Sequence, residues 1–117
     1  MNVLQQALDA LEDFDYDKRM VAITALRKAL EQEPNNYVIW HNLGIAYCQL
    51  GQDEEALRCF ELPCHHNYVE SWLSRGTALR SLGRYKEALA TFAHTFLLDP
   101  RHSTAYSNYG NTLRELG

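Results

Sequence analysis

The sequence predicts an all-α fold of about three stacked helical hairpins followed by a C-terminal helix. The main observation is an internal repeat: WHNLGIAY at residues 40–47 returns as WLSRGTAL at 72–79 and as YSNYGNTL at 106–113. The copies begin about 32 and then about 34 residues apart, a period typical of repeats built from two helices. Two further observations agree with this. A glycine follows each copy at the same distance, and an Ala-x3-Phe pattern occurs after the first two of these glycines.

Residues 1–36 predict a first unit that departs from this pattern. We call the first helix of each unit helix A and the second helix B. Helix B is clear at residues 20–32, where Ala22, Leu26 and Leu30 recur at helical spacing. Helix A, at residues 2–13, has neither the Gly nor the Trp of the later copies, and the connector EDFDYDKR separates it from helix B. Because terminal repeats are often atypical where one face meets water, we expect an N-terminal cap.

Residues 37–68 predict the best-formed unit. Helix A spans residues 37–50, and Gly51 supplies the left-handed residue that ends it. Helix B begins with the acidic run DEE, which the positive end of the helix dipole favours. We expect Pro63 to end this helix early, because proline removes a helical hydrogen bond and crowds the preceding turn.

Residues 69–102 predict a third unit that repeats the second. Its helix A spans residues 69–82, Gly83 ends that helix, and helix B spans 84–98. Residues 103–117 predict a last helix A. This helix is either a terminal solvating helix or the start of a truncated repeat, and both alternatives stay open.

Gly44, Gly76 and Gly110 stand in the middle of the three clear A helices. Glycine there costs about 1 kcal/mol relative to Ala. Because this destabilising glycine recurs at the same position of each helix A, we expect a structural reason for it. The reason we expect is that helix B approaches helix A closely at this position.

An aromatic residue, a Gly four positions on, a Gly at the helix end and Ala-x3-Phe in the next helix together resemble the tetratricopeptide repeat (TPR). The resemblance covers nearly the whole chain, and the tandem recurrence is more specific than one copy. It implies a right-handed α-α superhelix, the TPR solenoid, whose concave wall is made by the A helices. It also implies a protein-interaction scaffold.

Composition and charge narrow the range of partners. A length of 117 residues predicts one domain over residues 1–117. The net charge is −4 with acids and bases interspersed, so there is no basic patch and we expect no nucleic-acid partner. No apolar run approaches the roughly 20 residues of a membrane helix, so no membrane partner is expected. Three cysteines without framework spacing indicate reduced thiols and a cytoplasmic location.

The concave groove is the predicted site for an extended peptide or a helix. Its residues are offset from the core stripe of the A helices and are mostly polar and uncharged. The candidate peptide-binding residues are His41, Asn42, Ile45, Glu70, Leu73, Ser74, Thr77, Ser107, Asn108 and Asn111.

Asn42, Ser74 and Asn108 occupy one equivalent position, two residues before the mid-helix glycine. A carboxamide both donates and accepts, so it can pair with the N–H and C=O groups of a bound backbone. The arrangement resembles the asparagine ladder of O-linked N-acetylglucosamine transferases, and AYSNYGNTLRELG at 105–117 is especially similar to their repeats. The resemblance implies binding of extended chains with little regard to sequence. Ser74 departs from it through its shorter reach.

Chaperone-binding members of the family hold a peptide carboxylate with Lys, Asn and Arg on three A helices. The matching places here are Gln5, Asp9, Asn42, Glu70 and Ser74. Only Asn42 fits, so this clamp is not expected.

Metal and catalytic sites are also not expected. The residues Cys59, Cys64, His65 and His66 have no spacing that closes a known tetrahedral metal site. No nucleophile–base pair is recognisable. We therefore predict neither a metal, nor a cofactor, nor enzymatic activity.

The sequence thus predicts a non-catalytic scaffold or adaptor that binds a protein or peptide. Two alternatives stay open. One is a substrate-recognition segment of a larger enzyme such as a glycosyltransferase. The other is a homo-oligomer, because the apolar stripe on the C-terminal helix would pack against a second copy.

Overall fold

The computed structural model describes residues 3–117, with side chains at 3, 4 and 16–117. The helices in chain order are α1 (Val3–Gln32), α2 (Tyr37–Gln49), α3 (Asp53–His65), α4 (Val69–Ser81), α5 (Tyr85–Leu98) and α6 (Ser103–Leu116). The described residues form no strand, and the predicted all-α solenoid is confirmed. Here α2, α4 and α6 are A helices, and α3 and α5 are B helices. None of the helices within the described range is long and apolar enough to cross a bilayer.

The N-terminal unit differs from the prediction, because α1 is one continuous helix of 30 residues. The expected hairpin with a connector at residues 12–19 is wrong. The connector contains neither Gly nor Pro, and each Asp costs at most about 0.7 kcal/mol in a helix relative to Ala, so nothing in it forces a break. Ile23 and Leu30 of α1 are buried against α2 and α3. The candidate residues Gln5 and Asp9 lie outside the described side chains.

Each of the hairpins α2/α3 and α4/α5 is held close by a glycine–phenylalanine contact. A Cβ atom added to Gly44 would overlap the ring of Phe60, and one added to Gly76 would overlap the ring of Phe92. Both rings are fully buried. Close approach of helix B to helix A is therefore confirmed as the reason for these two glycines. At Gly110 an added Cβ would meet no described atom within 4 Å.

The end of α2 uses a left-handed glycine, as predicted. Gly51 has a φ of 75°, and the following amide, of Gln52, donates to the carbonyl oxygen of Tyr47 at 2.9 Å. This hydrogen bond satisfies a carbonyl that the helix end would otherwise leave unpaired. Gly83 ends α4 with the same geometry and a φ of 77°.

The helix α3 runs past Pro63, so the prediction that this proline ends the helix is wrong. Pro63 is the third residue from the end. Its missing N–H removes one helical hydrogen bond, while its fixed φ remains compatible with the helix. The helix ends instead before Asn67, whose φ is 56°, and the Tyr68 amide donates to the Pro63 carbonyl oxygen at 3.0 Å. Asn67 thus has the role that Gly51 has after α2.

The A helices lie on one side of the stack and the other helices lie on the opposite side. α4 approaches both α2 and α6 closely, whereas within the described part of the chain no Cα atoms of α1, α3 and α5 come within 8 Å of one another, and only their side chains meet. A stack whose A helices are closer together than its other helices curves toward the A helices. We call the concave surface of α2, α4 and α6 the inner face, and the surface of α1, α3 and α5 the outer face.

Candidate functional site

Three polar side chains stand at one equivalent position on the inner-face helices. Asn42 on α2 is exposed, and Ser74 on α4 and Asn108 on α6 are half-buried. α4 packs against both α2 and α6, so the three helices that carry these residues are adjacent, and we call the three residues the polar row. None of the three side chains has a hydrogen-bond partner among the residues that the structure describes. Their donors and acceptors are therefore available to a ligand.

The other inner-face candidates differ in how available they are. Ser107 is exposed, and Ile45 and Leu73 are half-buried. The Thr77 hydroxyl donates to the carbonyl oxygen of Leu73 at 3.1 Å. Asn111 Oδ1 accepts a hydrogen bond from the arginine three residues further along α6. Ile45 and Leu73 are therefore partly accessible apolar side chains, whereas Thr77 and Asn111 already have hydrogen-bond partners.

Glu70 is the acidic candidate on the inner face. Its carboxylate lies 3.5 Å from Nε2 of His102, the residue that precedes α6. His102 Nδ1 accepts a hydrogen bond from the Ala105 amide at 3.3 Å, so in the neutral ring the proton is on Nε2 and points toward Glu70. The Glu70 side chain is still 52% exposed. It leaves a carboxylate that a basic or neutral ligand group can approach.

His41 departs from the predicted arrangement because it is buried. The residue is 9% exposed, and its Nδ1 lies 2.5 Å from Ser71 Oγ on α4. The ring centre is 4.9 Å from that of Tyr68 and 5.8 Å from that of Phe60. Burial lowers the pKa of His41, and the Glu70 carboxylate partly opposes this. The side chain therefore connects α2 to α4 and does not offer a surface to a ligand.

The cysteine–histidine segment at the end of α3 does not assemble a metal site. No three His, Cys, Asp or Glu side chains converge anywhere in the described residues. Cys59 and Cys64 are buried, and burial raises the pKa of each thiol to about 11. Protonated thiols are poor nucleophiles and poor metal ligands. His66 is exposed and its ring stacks on that of Tyr37 at 4.8 Å.

A second polar region, absent from the sequence-based candidates, lies on the outer face around Trp72, Arg75 and His94. One sequence signal points to it. Arg75 and His94 stand where the preceding unit has Leu43 and Leu62. This difference becomes visible only when the two units are aligned residue by residue.

Comparison with known proteins gives matches to one kind of repeat. A tetratricopeptide repeat model matches residues 25–58, and a second tetratricopeptide repeat model matches residues 69–117. The human Tetratricopeptide repeat protein 28 is 29% identical over 100 residues, which is 84% of this chain. The match covers 4% of that relative, so the chain spans only a small part of its length.

Solved structures of TPR domains have the same fold. The first TPR of Spaghetti (RPAP3), bound to the HSP90 peptide SRMEEVD, matches with a TM-score of 0.81 at 23% identity, covering 92% of this chain and 87% of that one. The second TPR domain of human RPAP3, in complex with the HSP70 peptide SGPTIEEVD, matches with a TM-score of 0.78 at 22% identity. That match covers 93% of this chain and 92% of the other. At these identities the likeness shows the fold alone.

Proposed function

Because the chain belongs to the tetratricopeptide repeat family, we propose that it is a scaffold or adaptor that binds an extended peptide on its inner face. The row of Asn42, Ser74 and Asn108 carries this proposal. Its polar atoms have no partner within the described residues. Two carboxamides and a hydroxyl on adjacent helices can pair with successive backbone groups of an extended chain. The module acts in the cytoplasm, without catalysis and without a cofactor.

The charge of the inner face favours a neutral or basic peptide. The two RPAP3 domains were solved with HSP90 and HSP70 peptides that end in EEVD. At the positions where chaperone-binding TPR proteins carry Lys and Arg, α4 of this chain carries Glu70 and Ser74. A carboxylate there repels an acidic peptide. We therefore expect the inner face to bind an acidic C-terminal peptide poorly.

A peptide-display selection on the purified chain tests the proposal. The selection is counter-selected with Asn42→Ala/Asn108→Ala. We expect an enriched consensus whose affinity falls by about tenfold or more in the double variant, because each lost hydrogen bond contributes about 0.5–1.5 kcal/mol. The control is Asn35→Ala, which removes an exposed carboxamide from the turn between α1 and α2 and should bind as wild type does. Equal binding by the double variant and wild type would contradict the proposal.

Substrate recognition within a larger enzyme, such as a glycosyltransferase, is an alternative role for the same row of residues. It is supported by the partial resemblance of Asn42 and Asn108 to the asparagine ladder of O-linked N-acetylglucosamine transferases. The full-length transcript distinguishes the two roles. A catalytic domain in the same reading frame supports the alternative, and a transcript that encodes TPR repeats alone contradicts it.

Self-association is a second candidate function, favoured by apolar side chains on α6. Tyr106, Leu113 and Leu116 are 50%, 46% and 42% exposed. A second copy packed on this helix would remove apolar surface from water. Light scattering over a wide concentration range tests this. A mass that doubles for wild type and stays monomeric for Leu113→Glu/Leu116→Glu supports self-association, and a constant monomer mass for wild type contradicts it.

A further inference from the structure

The outer face carries a cleft between α4 and α5 that peptide binding on the inner face does not use. The cleft has a volume of about 380 Å³ and is open to solvent. Its walls include Trp72, Arg75, Leu79, Arg84, Glu87 and His94. A cleft of about the same volume lies one unit earlier, lined by α1, α2 and α3 and including Trp40 and Leu43. The two clefts can therefore be compared position by position.

The two tryptophans differ in the state of the indole N–H. Trp40 Nε1 donates to the carbonyl oxygen of Pro34 at 2.8 Å. Trp72 Nε1 is buried and has no hydrogen-bond partner in the part of the chain that the structure describes. The segment that leads into Trp72 is two residues shorter than the one that leads into Tyr106, and it has His66 where Pro34 precedes Trp40. The backbone carbonyl of His66 therefore stands at the position of the Pro34 carbonyl but accepts no hydrogen bond from the Trp72 indole.

His94 adds a second unpaired ring nitrogen to the same cleft. Its ring centre lies 3.9 Å from that of Trp72, and its Nε2 is buried without a partner among the described residues. The equivalent residue of the preceding unit is Leu62, which has no polar group in its side chain. A buried polar atom without a partner destabilises the folded protein. A ligand that supplies an acceptor recovers part of that free energy at the Trp72 indole, and it also pairs with His94 Nε2 when that nitrogen carries the ring proton.

Arginine side chains add charged donors to the cleft. Arg75 stands in place of Leu43, and its guanidinium carbon lies 5.5 Å from the centre of the Trp72 ring. Arg84 Nε pairs with Glu87 Oε2 at 2.6 Å. Because this pair carries no net charge, Arg75 supplies a positive charge next to the indole. The lining side chains thus offer more donors than acceptors.

We propose that this outer cleft binds a carboxylate of an acidic peptide through Trp72, Arg75 and His94. An ionised carboxylate only accepts hydrogen bonds, and its two oxygens can take several, so it matches a site made of N–H donors. In the unliganded protein Arg75 lies over the indole, and it swings aside to bring its guanidinium to the same carboxylate. Ala90 stands in place of Arg58 of the preceding unit, so a smaller and uncharged side chain lines this cleft.

NMR spectroscopy of the ¹⁵N-labelled protein tests the proposal, because two tryptophans give two indole N–H signals. The probe is a short acetylated and amidated peptide of alternating Glu and Gly, and the control peptide has Gln in place of Glu. We expect the Glu peptide to shift the Trp72 signal. The Trp40 signal should stay in place, since its N–H is already bonded to Pro34. Equal shifts of both signals, no shift of Trp72, or equally tight binding of the Gln peptide would overturn the proposal.

Two variants make the test specific to the cleft. Arg75→Leu and His94→Leu introduce the side chains that the preceding unit carries at these positions, so both variants are expected to fold. Each should weaken binding of the Glu peptide by about tenfold or more, because a charge-assisted or buried hydrogen bond is lost. Unchanged binding in both variants would overturn the assignment of these residues.

Two further measurements distinguish the outer cleft from the inner face, and a peptide ligand from a small dicarboxylate. Asn42→Ala/Asn108→Ala removes polar groups of the inner face and should leave binding of the Glu peptide unchanged. The proposal for the outer cleft can therefore fail or hold independently of the proposal for the inner face. Glutarate offers the same carboxylate chemistry without a peptide. The Glu peptide should bind about tenfold tighter than glutarate, since only the peptide extends along the cleft. Equal affinity would overturn the choice of a peptide as ligand.

Discussion

His41 and Ser71 form a buried polar pair between α2 and α4, and this pair makes the stability of the stack depend on pH. Burial lowers the pKa of His41 in the folded protein from its ordinary value of 6.5, with Glu70 acting in the opposite direction. The unfolded chain therefore takes up this proton at a higher pH than the folded protein does. The stability that neutral His41 provides is complete above 6.5 and is lost as the pH falls through the lower value of the folded state.

Urea unfolding between about pH 8 and pH 5 measures this dependence. The free energy of unfolding of wild type should fall below pH 6.5 by more than that of His41→Gln, which has no titrating group at this position. Gln can still form a hydrogen bond with Ser71. The other four histidines are common to both proteins, so their effects cancel in the comparison. Parallel pH profiles of the two proteins would show that His41 does not couple folding to protonation.

The glycines of the A helices make a matched set for a stability measurement. Gly44→Ala and Gly76→Ala should each destabilise the protein by about 1–3 kcal/mol, because the new Cβ displaces the buried ring of Phe60 or Phe92. Gly110→Ala should stabilise it by about 1 kcal/mol, because the added Cβ meets no described atom and alanine favours the helix. Urea unfolding of the three variants shows whether each has a higher or lower free energy of unfolding than wild type. Stabilisation by Gly76→Ala would contradict close packing as the reason for this glycine.

Sequence patterns located some of these residues better than others. Glycine recurs at the same costly position in the middle of each helix A, and this pointed to close packing there. Only the structure shows that Gly44 packs against the ring of Phe60. The helical phase of a residue does not tell whether its side chain faces solvent or the next helix. For this reason His41 was predicted to line the groove, although it is buried. Arg75 and His94 belong to no motif. They become candidates only because the preceding unit has leucines at the equivalent positions.

The left-handed residue after α3 predicts an order of stability among variants at one helix end. Asn67 adopts a φ of 56°, which glycine adopts without the Cβ clash that L-residues incur. Asn67→Gly should therefore be more stable than wild type, and Asn67→Ala less stable, each by up to about 1 kcal/mol. Chemical denaturation of the three proteins measures the order. An alanine variant as stable as the glycine variant would mean that the turn adopts another conformation.

Helix boundaries were predictable where one residue has a special backbone requirement. Gly51 and Gly83 mark the ends of α2 and α4, which the sequence locates to within one residue. Composition alone was a weaker guide. The acidic connector at residues 12–19 suggests a break, but α1 continues through it because no Gly or Pro interrupts the hydrogen bonding. Pro63 misled in the same direction, because a proline in the last turn costs only one hydrogen bond and the helix continues past it.

The curvature of the stack separates two surfaces with different chemistry. The A helices carry the three polar residues Asn42, Ser74 and Asn108 and the half-exposed Glu70 carboxylate. On the outer face, the spread between the other helices leaves clefts, and the one beside α5 contains Arg75. The two proposals assign a neutral or basic segment to the first surface and an acidic segment to the second. Under both proposals together, one module holds two segments at once, as a scaffold does.

The order of packing along the stack predicts a gradient of local stability. α4 packs against α2, α3, α5 and α6, whereas α6 packs against α5 and α4. In a repeat array each unit contacts only its neighbours, so opening α4 disrupts more interfaces than opening α6. Native-state hydrogen exchange should therefore find protection factors in α4 that exceed those in α6 by about tenfold or more. Buried amides around Ala78 in α4 and Thr112 in α6 give a comparison at equal side-chain burial, since these residues are 1% and 0% exposed. Equal protection of the two helices would mean that the array opens as one cooperative unit, and binding on either face would then have to be coupled to the whole stack.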